Sequence, residues 1–254
     1  MVSNKAEIVE NSKIAHNIWR MSFISQSIAD EYVGAGQFVS ILAGDSWEHP
    51  IRRPMSIAKV LDDQITIIYK IFGSVTNTLS RLMSGDYIDV LGPLGNTFVV
   101  DYNKYTPILV GGGIGLSPIL NLSECLNKKG ISSHTIIGAK SSDEHFLDLN
   151  PNNGTYLSTD DGTIGIKGTV IDVLSIVLKE VENPYIFACG PEGMLSALKL
   201  FLNEKGIPGQ FSVESYMACG FGFCQGCAIP NNKEGYSLVC KEGPVFDYNE
   251  VNLG

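Results

Sequence analysis

Near its end the chain reads MACGFGFCQGCAI and then SLVCKEGPVF, which places Cys219, Cys224, Cys227 and Cys240 in the pattern C-x4-C-x2-C-x12-C. Four thiolates, two per iron, can hold the irons of a [2Fe-2S] cluster, and this spacing is the one plant-type ferredoxins use. Gly220, Gly222 and Gly226 are predicted to reach positive φ, so that the loop wraps closely. Such a loop brings backbone N–H groups to the sulfurs, which favours the more negative, reduced state. Four cysteines also serve tetrahedral zinc, usually as two C-x2-C pairs. Here there is one such pair and a fourth cysteine alone, so the spacing favours iron–sulfur. Disulfides would need an oxidising compartment, of which the sequence gives no sign.

A second group of segments carries nucleotide chemistry. PILVGGGIGLSPI (Pro107 to Ile119) is an apolar run, a glycine cluster and a helix start. Ser117 is predicted as N-cap and Pro118 as first helical residue, with the helix running to about Asn127. Strand, turn and helix N-terminus together offer amides and a dipole to a phosphate. The run is GGGxG rather than G-x-G-x-x-G, and Asp143 and Glu144 come late for a ribose-binding acid, so the full dinucleotide fingerprint is not met. Upstream, RRPMSIA (Arg52 to Ala58) sets an arginine before an extended X-Pro step and a serine after it. That offers a guanidinium to a phosphate and a hydroxyl to a ring nitrogen. An Arg-Pro turn is ordinary by itself. The reading gains force from GSVTNTL (Gly73 to Leu79), whose helix start would face a pyrophosphate.

These segments need elements to position them. Up to about Asp101 the chain reads as short strands, among them Phe38 to Leu42, Ile65 to Phe72 and Tyr87 to Gly92, with one short helix near Val75 to Met83. That pattern predicts a small antiparallel β-barrel. Strand and helix then alternate: strand His134 to Ala139, helix Thr169 to Val181, strand Tyr185 to Gly190, helix Pro191 to Gly206. Alternation predicts an α/β unit with a parallel sheet and helices on both faces. Ligands of such sheets sit at the carboxyl ends of strands, where Gly111 to Gly115, Ser158 to Gly162 and Cys189 to Pro191 fall. Cys189 reads equally as a small buried residue. The expected organisation is a barrel over 1–101, an α/β unit over 102–208 and a small cysteine-bearing segment over 209–254.

Composition narrows the classes. The chain has 254 residues, 44% of them hydrophobic, so it can bury real cores. A net charge of −9 leaves no basic stripe for nucleic acid or an anionic membrane. The longest apolar stretch, Tyr105 to Leu122, is broken by glycines and prolines and is no membrane span. MVSNKAEIVE lacks the apolar run of a signal peptide, and six cysteines without an export signal point to a reducing cytoplasm.

In this order, RPMS, GGGIGLSPIL, STDDGTIGIKGTV, ACGPEGML and the cysteine block resemble the ferredoxin–NAD(P) reductase superfamily. Within it they are most similar to the electron-transfer subunits of dihydroorotate dehydrogenase B. ESYMACGFGFCQGC with the later CKEGPVF is the most specific part, and the likeness covers essentially the whole chain. The resemblance implies an FAD-binding barrel, an NAD(P)-binding α/β domain and a C-terminal [2Fe-2S] segment. It implies that Arg53, Pro54, Met55 and Ser56 line the FAD, with Ser56 near the flavin N5, and that Ile68, Tyr69, Lys70, Val75 and Thr76 contact the rest of it. Gly111, Gly112, Gly113 and Gly115 would meet the phosphates of NAD(P)H, and Cys189, Gly190 and Pro191 would border the nicotinamide. Cys219, Cys224, Cys227 and Cys240 would hold the cluster. Val75 stands where the family has a glycine, Tyr216 where a basic residue is common, and Met55 where wider reductases have an aromatic ring. The implied activity is a relay from NADH through FAD and the cluster to an FMN-containing dihydroorotate dehydrogenase catalytic subunit, in a heterotetramer serving pyrimidine biosynthesis. A reductase subunit of a sulfhydrogenase or of a ferredoxin:NADPH oxidoreductase would share nearly every motif, and a zinc-stapled nucleotide-binding module is the non-enzymatic alternative. Lys140 either meets a 2′-phosphate or is a solvated surface lysine.

Overall fold

The computed structural model describes residues 2–43, 49–99, 101–233 and 235–253. Six antiparallel strands close into a barrel: β1 (Val2–Ala15), β2 (Ile18–Ile24), β3 (Phe38–Leu42), β4 (Arg53–Leu61), β5 (Gln64–Lys70) and β6 (Tyr87–Leu94). Around the barrel the order is β1-β2-β5-β4-β3-β6. Period-two alternation decides which side chains enter it. On β5, Ile65, Ile67 and Tyr69 are buried with Phe23, Ile41 and Val90 in the barrel core, whereas Ile68 packs outside in a separate cluster with Ala58. Two short helices join the strands: α1 (Gln26–Glu31) and α2 (Ser74–Leu79). The expectation of one helix, over Val75 to Met83, is corrected on both counts. A helix as short as α1, with Ile28 its only buried residue, is too brief to show a period of 3.6.

The rest of the chain builds a seven-stranded sheet. Its strands are β7 (Thr106–Gly112), β8 (His134–Ala139), β9 (Thr155–Thr159), β10 (Ile166–Lys167), β11 (Pro184–Cys189), β12 (Gly209–Ser212) and, from near the chain end, a short strand Val245–Asp247. The order is β10-β9-β8-β7-β11-β12 followed by that last strand, which alone pairs antiparallel. Successive residues of β7 face opposite ways. Ile108 and Val110 pack under helices α4 (Val170–Val177) and α5 (Glu192–Lys205), and Leu109 packs under α3 (Leu116–Lys128). Helices on both faces explain why these strands read as unbroken apolar runs. Thr169 and Asp172 form a reciprocal capping box at the start of α4. Gly206, at φ 65°, ends α5.

Ser117 is not the N-cap of α3. A 3-10 turn over Gly113–Gly115 has already bent the chain, Gly115 holds the cap position, and Ser117 lies inside the first turn. Its hydroxyl is used elsewhere, as shown below.

Between β12 and the last strand the chain runs out to the cysteine loop and a hairpin of β13 (Ala228–Asn231) and β14 (Gly235–Leu238), so the last strand is β15. The expected 209–254 segment is therefore stitched into the sheet at both ends. Its residues Cys227, Val239, Cys240 and Phe246 share one core with Ile186 and Leu198 of the α/β unit and Phe38 and Leu94 of the barrel. Among the described residues no helix is long and apolar enough to cross a membrane.

Candidate functional site

The four cysteines lie as two pairs. Cys227 and Cys240 are buried, with Sγ atoms 3.1 Å apart. Cys219 and Cys224 form an outer pair, the first half-buried and the second exposed, and the Cys224 amide donates to Cys219 Sγ at 3.4 Å. Further amides reach the sulfurs: Gly222 to Cys240 at 3.1 Å, Gly226 to Cys224 at 3.5 Å and Cys240 to Cys227 at 3.4 Å. Among the described residues, no three His, Cys, Asp or Glu side chains gather about one point as a single ion requires. Two thiol pairs fed by amides fit a two-iron cluster. Gly220 and Gly222 adopt φ of 79° and 86°, but Gly226 does not; Gln225, at φ 59°, makes the third left-handed turn. Burial alone would raise the Cys219 thiol, yet the amides of Cys224, Phe221 and Phe223 and the Cys224 thiol outweigh it and bring it to about 6. The Cys240 thiol is pushed up, by burial first and then by Cys227 beside it. The Cys219 thiol is thus more readily ionised than that of Cys240.

Two cavities meet a short way from this loop. The smaller, about 160 Å³, has Pro54, Met55 and Ser56 of β4 and Ile68 of β5 on one side and Ser117 of α3 on another, with Ser212 to Ser215 and Met217 closing it. Apolar side walls edged by hydroxyls suit a flat heteroaromatic ring. The larger is a cleft of about 730 Å³ over the carboxyl ends of the parallel strands. Its lining includes Lys70, Gly112, Gly113, Lys140, Ser158 and Pro191. Gly113 needs its φ of +55°, and a Cβ on Gly115 would lie 2.3 Å from the Cys189 carbonyl oxygen, so the turn admits no larger residue there. Ser158 Oγ is buried in this cleft without a hydrogen-bond partner. A buried hydroxyl left without a partner beside a cleft calls for one.

The predicted site residues divide by where their side chains go. Pro54, Met55, Ser56 and Ile68 line the smaller cavity, and Lys70, Gly112, Gly113 and Pro191 line the cleft. Tyr69 turns into the barrel, where its hydroxyl donates to Asn11, and Val75 is buried in the same core. Cys189 is 1% exposed and its thiol is raised by burial, so only backbone is presented at that strand end, beside buried Gly190. Thr76 accepts the Phe72 amide and so holds the turn before α2, and the space over Gly73 is open. The two adjacent arginines differ. Arg52 is tied to Asp89 at 2.9 Å, while the Arg53 guanidinium donates to the Ile51 carbonyl at 2.8 Å.

Three contributors escape motif reading. Glu214 lines both cavities. Solvent reaches it through the open cleft, yet protein surrounds it closely enough that desolvation raises its carboxyl. Met194 leans over Gly112 and Gly190, where added Cβ atoms would meet its thioether at 2.4 Å. Glu144 pairs with Lys70 at 2.6 Å across the mouth of the cleft. Burial pushes Glu144 upward, but the bond and charge of Lys70 and the amide and charge of Lys140 win, leaving it below the ordinary carboxylate range. No sequence pattern assigns these three their roles: Glu144 comes into view only as a late ribose-binding acid, and Gly112, Lys70 and the barrel side of the smaller cavity lie far from them in the chain.

A family model for the iron–sulfur cluster binding domain of dihydroorotate dehydrogenase B matches residues 214–252. Among curated relatives, the dihydroorotate dehydrogenase B (NAD(+)) electron transfer subunit of Fusobacterium nucleatum is 39% identical, with 97% of each chain covered. The protein of the same name from Bacillus pumilus is 37% identical over 97% of this chain and 96% of that one. Among solved structures, a chain of the NADH-dependent reduced ferredoxin–NADP oxidoreductase superposes with a TM-score of 0.86 at 29% identity, covering 98% of this chain and 90% of that chain. Phthalate dioxygenase reductase shares the fold, with a TM-score of 0.64 at 17% identity over 94% of both chains. With full-length identity at this level and a cysteine loop arranged as two thiol pairs, the chain belongs to the family of dihydroorotate dehydrogenase B electron transfer subunits.

Proposed function

We propose that this chain takes electrons from NADH and delivers them, through FAD and a [2Fe-2S] cluster, to an FMN-containing catalytic subunit that oxidises dihydroorotate to orotate in the cytoplasm. The observation that carries this reading is that the smaller cavity, lined by the β4 and β5 residues, and the cleft over the strand ends share one wall residue, Glu214, directly upstream of the cysteine loop. When bound, FAD and the cluster supply the conversion of a hydride into single electrons.

The protein's own part is binding and placement. Pro54, Met55 and Ile68 give the flavin ring apolar walls, and Ser56 offers a hydroxyl to its edge. Arg53 and the backbone of Val75 and Thr76 hold the FAD phosphates; Tyr69 and Val75 support that strand and turn from inside the barrel. In the cleft, the turn from Gly111 through Gly112 and Gly113 to Gly115, together with the N-terminus of α3, receives the phosphates of NADH. Ser158 gives its unpaired hydroxyl to the nucleoside. Pro191, with the backbone of Cys189 and Gly190, borders the nicotinamide. Cys219 and Cys224 hold the outer iron, Cys227 and Cys240 the inner one. Phe223, 85% exposed, and Tyr216, 94% exposed, lie within a few residues of the outer pair in sequence and form part of the docking face for the catalytic subunit in a heterotetramer.

The isolated chain tests this. We expect a flavin band with broad iron–sulfur shoulders that bleaches anaerobically on adding NADH. We also expect dye reduction without orotate formation until an FMN-containing subunit is supplied. A colourless protein carrying one zinc, or orotate made by this chain alone, would refute the reading. The likeness to the ferredoxin–NADP oxidoreductase chain supports the same relay with another acceptor, and the partner that co-purifies separates the two.

A further inference from the structure

Helix α3 meets the barrel through an apolar patch in which Leu120 packs on Ala58 and Ile68. Such contact is non-directional and does not by itself fix a helix along its axis. Two buried polar side chains break the pattern. Ser117, 1% exposed, donates from Oγ to the Ile68 carbonyl at 3.0 Å. Asn121, 3% exposed, donates from Nδ2 to the Ile57 carbonyl at 2.9 Å. Residues four apart lie on one helix face, so the two bonds act as a pair one turn apart. Asn121 Oδ1 in turn accepts the Tyr32 hydroxyl at 2.8 Å, which orients its amide. The β4–β5 pairing shifts register between Ile57 and Lys59, and the carbonyl Asn121 grips lies at that irregularity.

Both ends of these bonds lie next to the chemistry. Ile57 follows Ser56, and Ile68 itself lines the flavin cavity. Leu116, the first residue of α3, directly follows the glycine turn of the cleft. We infer that Asn121, with Ser117, is a positioning residue: it sets the offset between the flavin-bearing strands and the dinucleotide-binding turn, and hence the approach of the two rings. This rests on the function proposed above. Hydride transfer is steep in donor–acceptor geometry, and a misplacement of about 1 Å costs on the order of a hundredfold. Hydrogen bonds tolerate only a few tenths of an ångström, which is the tolerance the reaction needs.

The experiment uses the flavin- and cluster-loaded chain. Asn121→Leu removes the bond to Ile57 and those accepted from Tyr32 and Cys125, whereas Tyr32→Phe removes one and leaves the grip on Ile57. We expect Asn121→Leu to lower the limiting rate of flavin bleaching at least tenfold in anaerobic stopped flow, with half-saturation by NADH within twofold of wild type. Amide hydrogen exchange over 116–128 should quicken in the same variant. Tyr32→Phe should lower the melting temperature yet hold the limiting rate within twofold. If Asn121→Leu does not fold, Asn121→Asp replaces it, keeping the acceptor for Tyr32 and losing the donor to Ile57. An unchanged rate in the Asn121 variant, or equal slowing in Tyr32→Phe, would overturn the assignment and leave Asn121 a satisfied core amide. A wild-type chain that ignores NADH would instead overturn the functional reading, and this inference with it.

Discussion

Cys227 and Cys240 are 2% and 3% exposed and share a core with Val239 and Phe246, whereas Cys224 faces solvent. The same substitution should therefore have two outcomes. Cys240→Ser puts a hydroxyl, shorter than the thiol and drawn back from the Gly222 amide, into an apolar core whether or not iron is present, at a cost of about 1–3 kcal/mol. Cys224→Ser on the surface costs about 0.5 kcal/mol or less. We expect both to lose iron, but only Cys240→Ser to lower the denaturation midpoint of the metal-free protein. Equal midpoints would show that the inner pair is not part of the core. The cysteines are also where the sequence was most legible, because ligand spacing within one loop is a local property. Met194 and Glu214 were not legible. Their roles depend on which strand ends lie side by side, and that is decided by sheet order, not by neighbours in sequence.

Among elements, the loop after β8 does more than connect. Its Asp143 carbonyl accepts the His16 amide from the β1–β2 turn, and Glu144 bonds Lys70 at the end of β5, so it ties the α/β unit to the barrel beside the cleft. Glu144 titrates below its ordinary range in the folded chain. A depressed carboxylate contributes stability that is fully present above its unfolded pKa and is lost as the pH falls through the folded value. Wild type should therefore be more stable than Glu144→Gln near about pH 7, and the gap should close on acidification towards about pH 3. Parallel melting curves across that range would show the pair to be idle. Element existence was well marked where patterns were long: His134 to Ala139 is a strand with the bounds expected, and the helix around Thr169 begins at its capping box. Ends were less well marked. The expected helix over Thr169 to Val181 stops at Val177, since apolar residues beyond it continue the pattern as a packed loop.

Across the whole molecule, barrel, sheet and cysteine segment interlock. Asn96, just after β6, donates to the carbonyls of Glu242 and Val245 and accepts the Val245 amide. Phe38 and Leu94 enter the same core as the inner cysteines. A chain cut after Ser212 would lose β15 and uncover that core, so it should be recovered insoluble, and the intact chain should unfold in one calorimetric transition. Two separated transitions, or a soluble truncated form that retains flavin, would contradict this interlocking.

The grip of α3 on the barrel has a consequence for natural variation. Both bonds land on main-chain carbonyls, at Ile57 and Ile68, and every amino acid carries one. Drift in the side chains of those two strands can therefore proceed without disturbing the joint, provided the strands still form. On the helix side the joint depends on two side chains, Ser117 and Asn121. A lineage can thus rewrite one half of this seam freely while the other half is held to two letters.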